Sequence, residues 1–199
     1  MRHRPSWTET VDLVADRLRL HLPSADILTA EQRYGDPLRY RCHLLHAESD
    51  GSFSVVALVW RPGQATPIHD HVTWCVFGVL QGSEREDRFA LRHDGWLEEA
   101  GSSVSQAGDV TGLVPPGDIH RVRNDGPQTA ISLHIYGTDV SRLGTSVRRA
   151  YDLPVVAGEP ATGGGTQHHR EIAGQAARQP AAVPNASGSG NLLRLALSV

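Results

Sequence analysis

The chain has 199 residues, with 19 basic residues, all arginine, against 22 acidic ones, and a formal net charge of −3. That length suits one domain with a real core, alone or followed by a tail, and the near-neutral balance argues against a general nucleic-acid binder, whose affinity comes from clustered positive charge. The absence of lysine excludes Schiff-base chemistry on a lysine side chain and a Walker-type phosphate loop.

Three further features set expectations for the compartment. No apolar run approaches the ~18 residues of a membrane-spanning helix. The opening stretch, residues 1–20, lacks the continuous apolar core of a signal peptide. Two cysteines cannot make a disulfide framework, so a reducing, cytoplasmic setting is expected.

In chain order, Ser6-Trp7-Thr8-Glu9 fits a capping box, and Val11, Val14, Leu18 and Leu22 follow at helical spacing. A first helix to about Leu22 is therefore expected, with a shorter second one from Ser24 to Tyr34-Gly35. From Arg39 the texture changes to short segments rich in β-formers: Arg39–His46, Ser52–Trp60, Thr73–Gln81, Arg88–Arg92, Trp96–Glu99, Val110–Val114, Ile119–Arg123 and Thr129–Tyr136. Turn signals such as Ser49-Asp50-Gly51, Arg61-Pro62-Gly63 and Pro115-Pro116-Gly117 separate them. Many short strands behind a helical preface predict a sandwich or barrel. Ser141–Tyr151 is expected to form a closing helix. Residues 1–156 then make one domain. Residues 157–199, dominated at first by Gly, Ala, Pro, Ser, Gln and Thr, make a disordered C-terminal tail, because such a composition cannot bury enough apolar surface to offset the entropy of ordering.

Eleven histidines are many for this length, and three are placed tellingly. His69 and His71 stand at i and i+2, so on a strand both imidazoles point to one face. Pro115-Pro-Gly117-Asp-Ile-His120 supplies a third after a turn, with Asn124 following. The pair of patterns, G-x5-H-x-H…G and P-x-G-x2-H-x3-N, resembles the two motifs of the cupin superfamily. The slot where cupins usually carry a glutamate ligand holds Cys75. Three neutral imidazoles with open positions suit Fe(II) and O2, although they would also suit a catalytic zinc, and the sequence does not choose.

Taken together, Ser54–Trp60, Pro67–His71, Gly78–Gly82, Pro116–Asn124 and Ser132–Gly137 resemble the cysteine dioxygenase type I family, over about Trp7 to Leu153 and closest to its bacterial 3-mercaptopropionate and cysteine dioxygenase group. The resemblance implies an all-β, cupin-type double-stranded β-helix (jelly-roll barrel) with N-terminal helices. It also implies mononuclear non-haem Fe(II) on His69, His71 and His120, and oxidation of a small carboxylate-bearing thiol to its sulfinate by O2. Ser132, His134 and Tyr136, at i, i+2 and i+4, would form the family's hydrogen-bonded relay. Cys75 matches the cysteine that animal-type members link covalently to the relay tyrosine. For the substrate carboxylate, the family's Arg or Gln position holds Cys42, which could admit a bulkier or differently charged thiol. The bacterial group's use of an Arg beyond the relay strand implies Arg148 or Arg149 as the candidate fork. Two other readings stay open: a cupin metalloenzyme acting on a non-thiol, and a non-catalytic metal-binding sensor module. Neither nucleic acid nor membrane is expected as a partner.

Overall fold

The computed structural model describes residues 5–158; most of the 157–199 tail expected from composition lies outside the described residues. Helix α1 (Trp7–His21) starts at the anticipated capping box, in which Ser6 Oγ accepts from the Glu9 backbone N–H at 3.2 Å and the Ser6 N–H donates to the Glu9 carboxylate at 2.7 Å. The second helix is split. Ser24 caps a single 3-10 turn (Ala25–Ile27), and Thr29, with Gln32 in a second capping box, starts α2 (Ala30–Tyr34). No described helix is long and apolar enough to cross a membrane.

Eleven strands follow, broken once by α3 (Val140–Leu143). They are β1 (Arg41–Ala47), β2 (Ser54–Trp60), β3 (Ile68–His71), β4 (Cys75–Gln81), β5 (Ser83–Leu91), β6 (Leu97–Gln106), β7 (Val110–Leu113), β8 (His120–Arg123), β9 (Ala130–Tyr136), β10 (Val147–Tyr151) and β11 (Val155–Val156). They form a five-stranded sheet, β1-β2-β9-β4-β7, and a six-stranded sheet, β10-β3-β8-β5-β6-β11. This is the expected jelly-roll barrel of the double-stranded β-helix type.

Period-2 alternation explains the layers. On β2 and β9, Val55, Leu133 and Ile135 pack outward against Val11, Ala15 and Leu18 of α1. The alternate residues Val56, Leu58, Trp60, Ala130 and Tyr136 pack inward, with Cys75 of β4. Both faces of these strands are covered, so β2 reads as an unbroken apolar run.

Three segments differ from the sequence reading. The predicted closing helix stops at Leu143, where Gly144 takes the left-handed conformation, and residues 147–151 become β10 because the edge of β3 offers them a ladder. Strand β5 begins at Ser83 rather than near Arg88. Its charged opening, Ser-Glu-Arg-Glu-Asp-Arg, does not look like a strand, yet Glu84 and Glu86 both point inward. Strand β6 runs on to Gln106 because β5 pairs with it along its whole length.

Just past β9, Gly137 sits where an added Cβ would lie 2.2 Å from Trp74 Nε1 and 2.8 Å from Thr73 Oγ1. A Gly137→Ala variant is expected to lose about 1–3 kcal/mol through overpacking, read as a lowered thermal midpoint. An unchanged midpoint would show that the Trp74 indole moves aside freely.

Candidate metal centre

Strand β3 carries His69 and His71 on one face, and His120 opens β8 directly opposite His69 in the antiparallel ladder. All three are buried, and one ligand nitrogen from each lies within 4.8 Å of the others. No carboxylate belongs to that cluster among the described residues.

Each ring is held from behind through Nδ1. His69 Nδ1 lies 3.0 Å from the Pro67 carbonyl, His71 Nδ1 2.9 Å from Asp118, and His120 Nδ1 2.7 Å from Glu86. Acceptors on Nδ1 put the hydrogen there and turn the Nε2 lone pair toward the common centre. The result is visible at His120, whose Nε2 is buried without a hydrogen-bond partner. Burial, together with the neighbouring His120 and His71, pushes the His69 imidazole down to about 3, so it is neutral, as a ligand must be. Three converging imidazole nitrogens, one of them orphaned in the interior, fit a divalent transition metal.

The two carboxylates behind the rings were not singled out from the sequence. Burial raises the Glu86 carboxyl, but the His120 ring and Arg88 outweigh it and hold the group below its ordinary range. Asp118 is likewise raised by burial and lowered further by the His71 ring and backbone N–H. A cation here is therefore not left uncompensated, as three neutral ligands alone would suggest; two buried negative charges stand one imidazole away. Asp118 lies inside the second histidine motif and could have been found there. Glu86 is hidden in the charged opening of β5. Asn124, the motif's last residue, is a structural pin, donating to the Trp60 and Gln128 carbonyls at 3.0 and 2.7 Å.

The three histidines line a cavity of about 400 Å³, shared with Tyr40, Cys42, Cys75, His134 and Tyr136. Ser132, His134 and Tyr136 occupy the inward face of β9. His134 Nε2 is 2.9 Å from Ser132 Oγ, and its Nδ1 is 3.5 Å from the Tyr136 hydroxyl. Burial, reinforced by His71, His120 and His69, pushes His134 down to about 3. It is thus a neutral imidazole, able to donate through one nitrogen while accepting through the other.

Cys75 faces Tyr136 across the β4–β9 ladder, and its Sγ lies 3.8 Å from His134 Nδ1. Burial raises both the Cys75 thiol and the Tyr136 phenol, so both keep their protons at neutral pH.

Cys42 lines the cavity from β1, between Tyr40 and Leu44 at alternate positions, while Arg41 pairs with Asp36. The two candidate carboxylate forks do not line it. Arg148 pairs with Asp70, which also accepts from the Tyr151 hydroxyl at 2.9 Å, and the Arg149 guanidinium lies 4.6 Å over the Tyr151 ring. Both arginines are exposed because the expected helix is a strand, whose inward positions are taken by Val147 and Ala150.

A protein-family model described as Cysteine dioxygenase type I matches residues 30–148, which contain the three histidines, Ser132, His134, Tyr136 and Cys75. The chain belongs to the cysteine dioxygenase type I family. Cysteine dioxygenase type 1 of Danio rerio is 31% identical over 106 residues, covering 51% of this chain and 52% of that protein. The Homo sapiens protein of the same name is 29% identical over 105 residues, with the same coverage. The chain thus matches about half the length of these curated relatives. Among solved structures, an uncharacterised protein with a double-stranded β-helix domain from Klebsiella pneumoniae aligns at a TM-score of 0.43 and 18% identity, over 56% of this chain and 90% of its own. A cupin 2 conserved barrel domain protein from Salinispora arenicola aligns at 0.40 and 20%, over 53% and 82%.

Proposed function

We propose that this family member is a thiol dioxygenase with one non-haem Fe(II) held by His69, His71 and His120, converting a small thiol and O2 to the sulfinate. The observation carrying this reading is the convergence of three imidazoles, without a carboxylate among them, on a cavity that also presents Tyr136. Iron would supply the one-electron chemistry that a spin-paired thiolate and triplet O2 lack between them. Two oxygen atoms go to one sulfur and the thiol hydrogen leaves as a proton, so no further reductant is needed.

The protein's own groups orient and protect. The Tyr136 hydroxyl, backed by His134, is placed to donate a hydrogen bond to the sulfur or to a developing oxyanion. Apolar walls from Val56, Leu58, Leu113 and Val122 keep water from the reacting atoms. A cysteine- or 3-mercaptopropionate-type substrate fits by size, but no arginine is among the residues lining the cavity. Its carboxylate would meet the hydroxyls of Tyr40, Thr66 and Ser146, with the charge of the metal, instead of a guanidinium fork.

The test is oxygen uptake by iron-loaded protein with cysteine, 3-mercaptopropionate, cysteamine and mercaptosuccinate, each beside its hydroxyl analogue. Uptake matched by sulfinate with at least one thiol is expected. Iron-loaded protein that consumes oxygen with none of the thiols overturns the proposal, and uptake with the hydroxyl analogues moves it to another substrate class.

Cys75 and Tyr136 would then be joined by a thioether during turnover. The S–H and an ortho ring C–H are replaced by one S–C bond, and the two hydrogens and two electrons go to O2. Peptide mass analysis is expected to show the loss of two hydrogens in turned-over protein and no loss in Cys75→Ser. An unchanged mass after extended turnover with iron would remove the crosslink.

A further inference from the structure

Strand β5 directs two carboxylates inward, at i and i+2. Glu86 is accounted for by His120. Glu84 is not, although it is only 2% exposed and both its oxygens lack a hydrogen-bond partner. It forms no ion pair among the described residues, a costly condition for a buried acid and one that asks for a reason.

Its surroundings supply that reason. The Ser132 hydroxyl of β9 and the Trp60 indole N–H of β2 come close enough to favour its ionised form, although neither completes a hydrogen bond with it. Cys75 of β4 feels its charge, and Glu86 is the other inward-facing acid on its strand, whose third acid, Asp87, pairs with Arg121 and Arg123. Ser132 is the inner end of the β9 relay. Its Oγ lies 2.9 Å from His134 Nε2 and accepts from Trp60 Nε1 at 3.4 Å. A serine hydroxyl has two acceptor sites and one hydrogen. With the indole and the imidazole N–H on the acceptor sites, the hydroxyl hydrogen is free to turn toward Glu84, with which it makes no hydrogen bond in the resting arrangement.

We propose that Glu84 is the inner terminus of the Tyr136–His134–Ser132 relay, a positioning residue that takes up the proton displaced when a substrate thiol binds as its thiolate. The inference rests on the thiol dioxygenase reading above. The transfer balances without any redox step. The thiol S–H proton passes to the Tyr136 oxygen, the Tyr136 proton to His134 Nδ1, the Nε2 proton to Ser132 Oγ, and the Ser132 proton to the Glu84 carboxylate. Tyr136, His134 and Ser132 each end with the number of protons they began with, the hydrogen bonds among them reverse direction, and Glu84 gains the one proton that the thiol loses. The proton returns by the same route or leaves with the product. Burial, opposed by Ser132 and Trp60, pushes Glu84 up to about 7, so that near neutrality both its forms are accessible.

The experiment compares wild type, Glu84→Gln and Glu84→Asp as iron-loaded proteins, using a thiol that the wild type oxidises. Anaerobic thiol addition at pH 7.5–8 in weak buffer is followed with a pH indicator and by difference infrared spectroscopy. Wild type is expected to release well under one proton per thiol bound and to develop a protonated-carboxyl band. Glu84→Gln is expected to release about one proton and to lack the band, while Glu84→Asp shifts the band and partly restores uptake. Turnover in Glu84→Gln is expected to fall about 10- to 100-fold in kcat with little change in KM. Equal proton release and an equal pH profile in wild type and Glu84→Gln overturn the proposal while leaving the dioxygenase intact. If Glu84→Gln does not fold, absence of a protonated-carboxyl band in wild type overturns it equally. A wild type that oxidises no thiol instead fails the function on which it rests.

Discussion

His120→Ala is expected to reduce bound metal to background and to abolish thiol-dependent oxygen uptake, a loss of at least about 10³-fold against the wild type. Two contributions act together. His69 and His71 remain on β3, but two imidazoles hold a divalent cation far more weakly than three. The substitution also leaves Glu86 buried without its imidazole partner at 2.7 Å, which costs on the order of 1–3 kcal/mol. Metal analysis after dialysis, with oxygen uptake and the thermal midpoint of the metal-free protein, separates the two. Full metal occupancy in His120→Ala would place the cation elsewhere and remove the centre described above.

The metal-free protein is expected to lose stability steadily as pH falls below about 6.5. In the unfolded chain the imidazoles of His69 and His134 take up protons near that value, whereas in the folded protein burial keeps both neutral down to about 3. Across that window the unfolded chain binds more protons, so each such group subtracts about 1.4 kcal/mol per pH unit on acidification. Glu86 and Asp118, held below their ordinary range when folded, add a loss of the same sign once pH drops beneath the usual carboxylate values. Denaturant midpoints of chelated protein at pH 7.0, 6.0 and 5.0 measure the slope. A flat profile would mean that water or a local opening reaches these rings in the folded state. Bound metal, which competes with protons for the histidine nitrogens, is expected to shift the fall to lower pH.

Much of the centre was legible before any coordinates. The i, i+2 spacing of His69 and His71 needs only a strand to align them, and a Pro-Gly turn before His120 sets a third imidazole at a strand start. Ser132, His134 and Tyr136 obey the same alternation. Other parts were not legible. Residues 147–151 have no strong local preference and become a strand because β3 presents an open edge. Arg148 and Arg149 are turned out of the cavity by that pairing. The opening of β5 reads as solvated charge, since a lone buried carboxylate is too costly to expect from sequence. Glu86 is tolerable there only because His120 arrives from a distant strand, and Glu84 is buried with neither oxygen partnered.

Period-2 alternation by itself determined that His69 and His71 would share one strand face and that Ser132, His134 and Tyr136 would share another, because alternation is a local property of an extended backbone. A relay role for the second set is implied only by the family resemblance. Which face of β9 became the interior was decided by α1. Its apolar stripe covers Leu133 and Ile135 on one side and so commits Ser132, His134 and Tyr136 to the other. The carboxylates behind the imidazoles were likewise settled only by the closing of the six-stranded sheet, because a buried charge is stabilised by partners brought from far along the chain rather than by its neighbours in sequence.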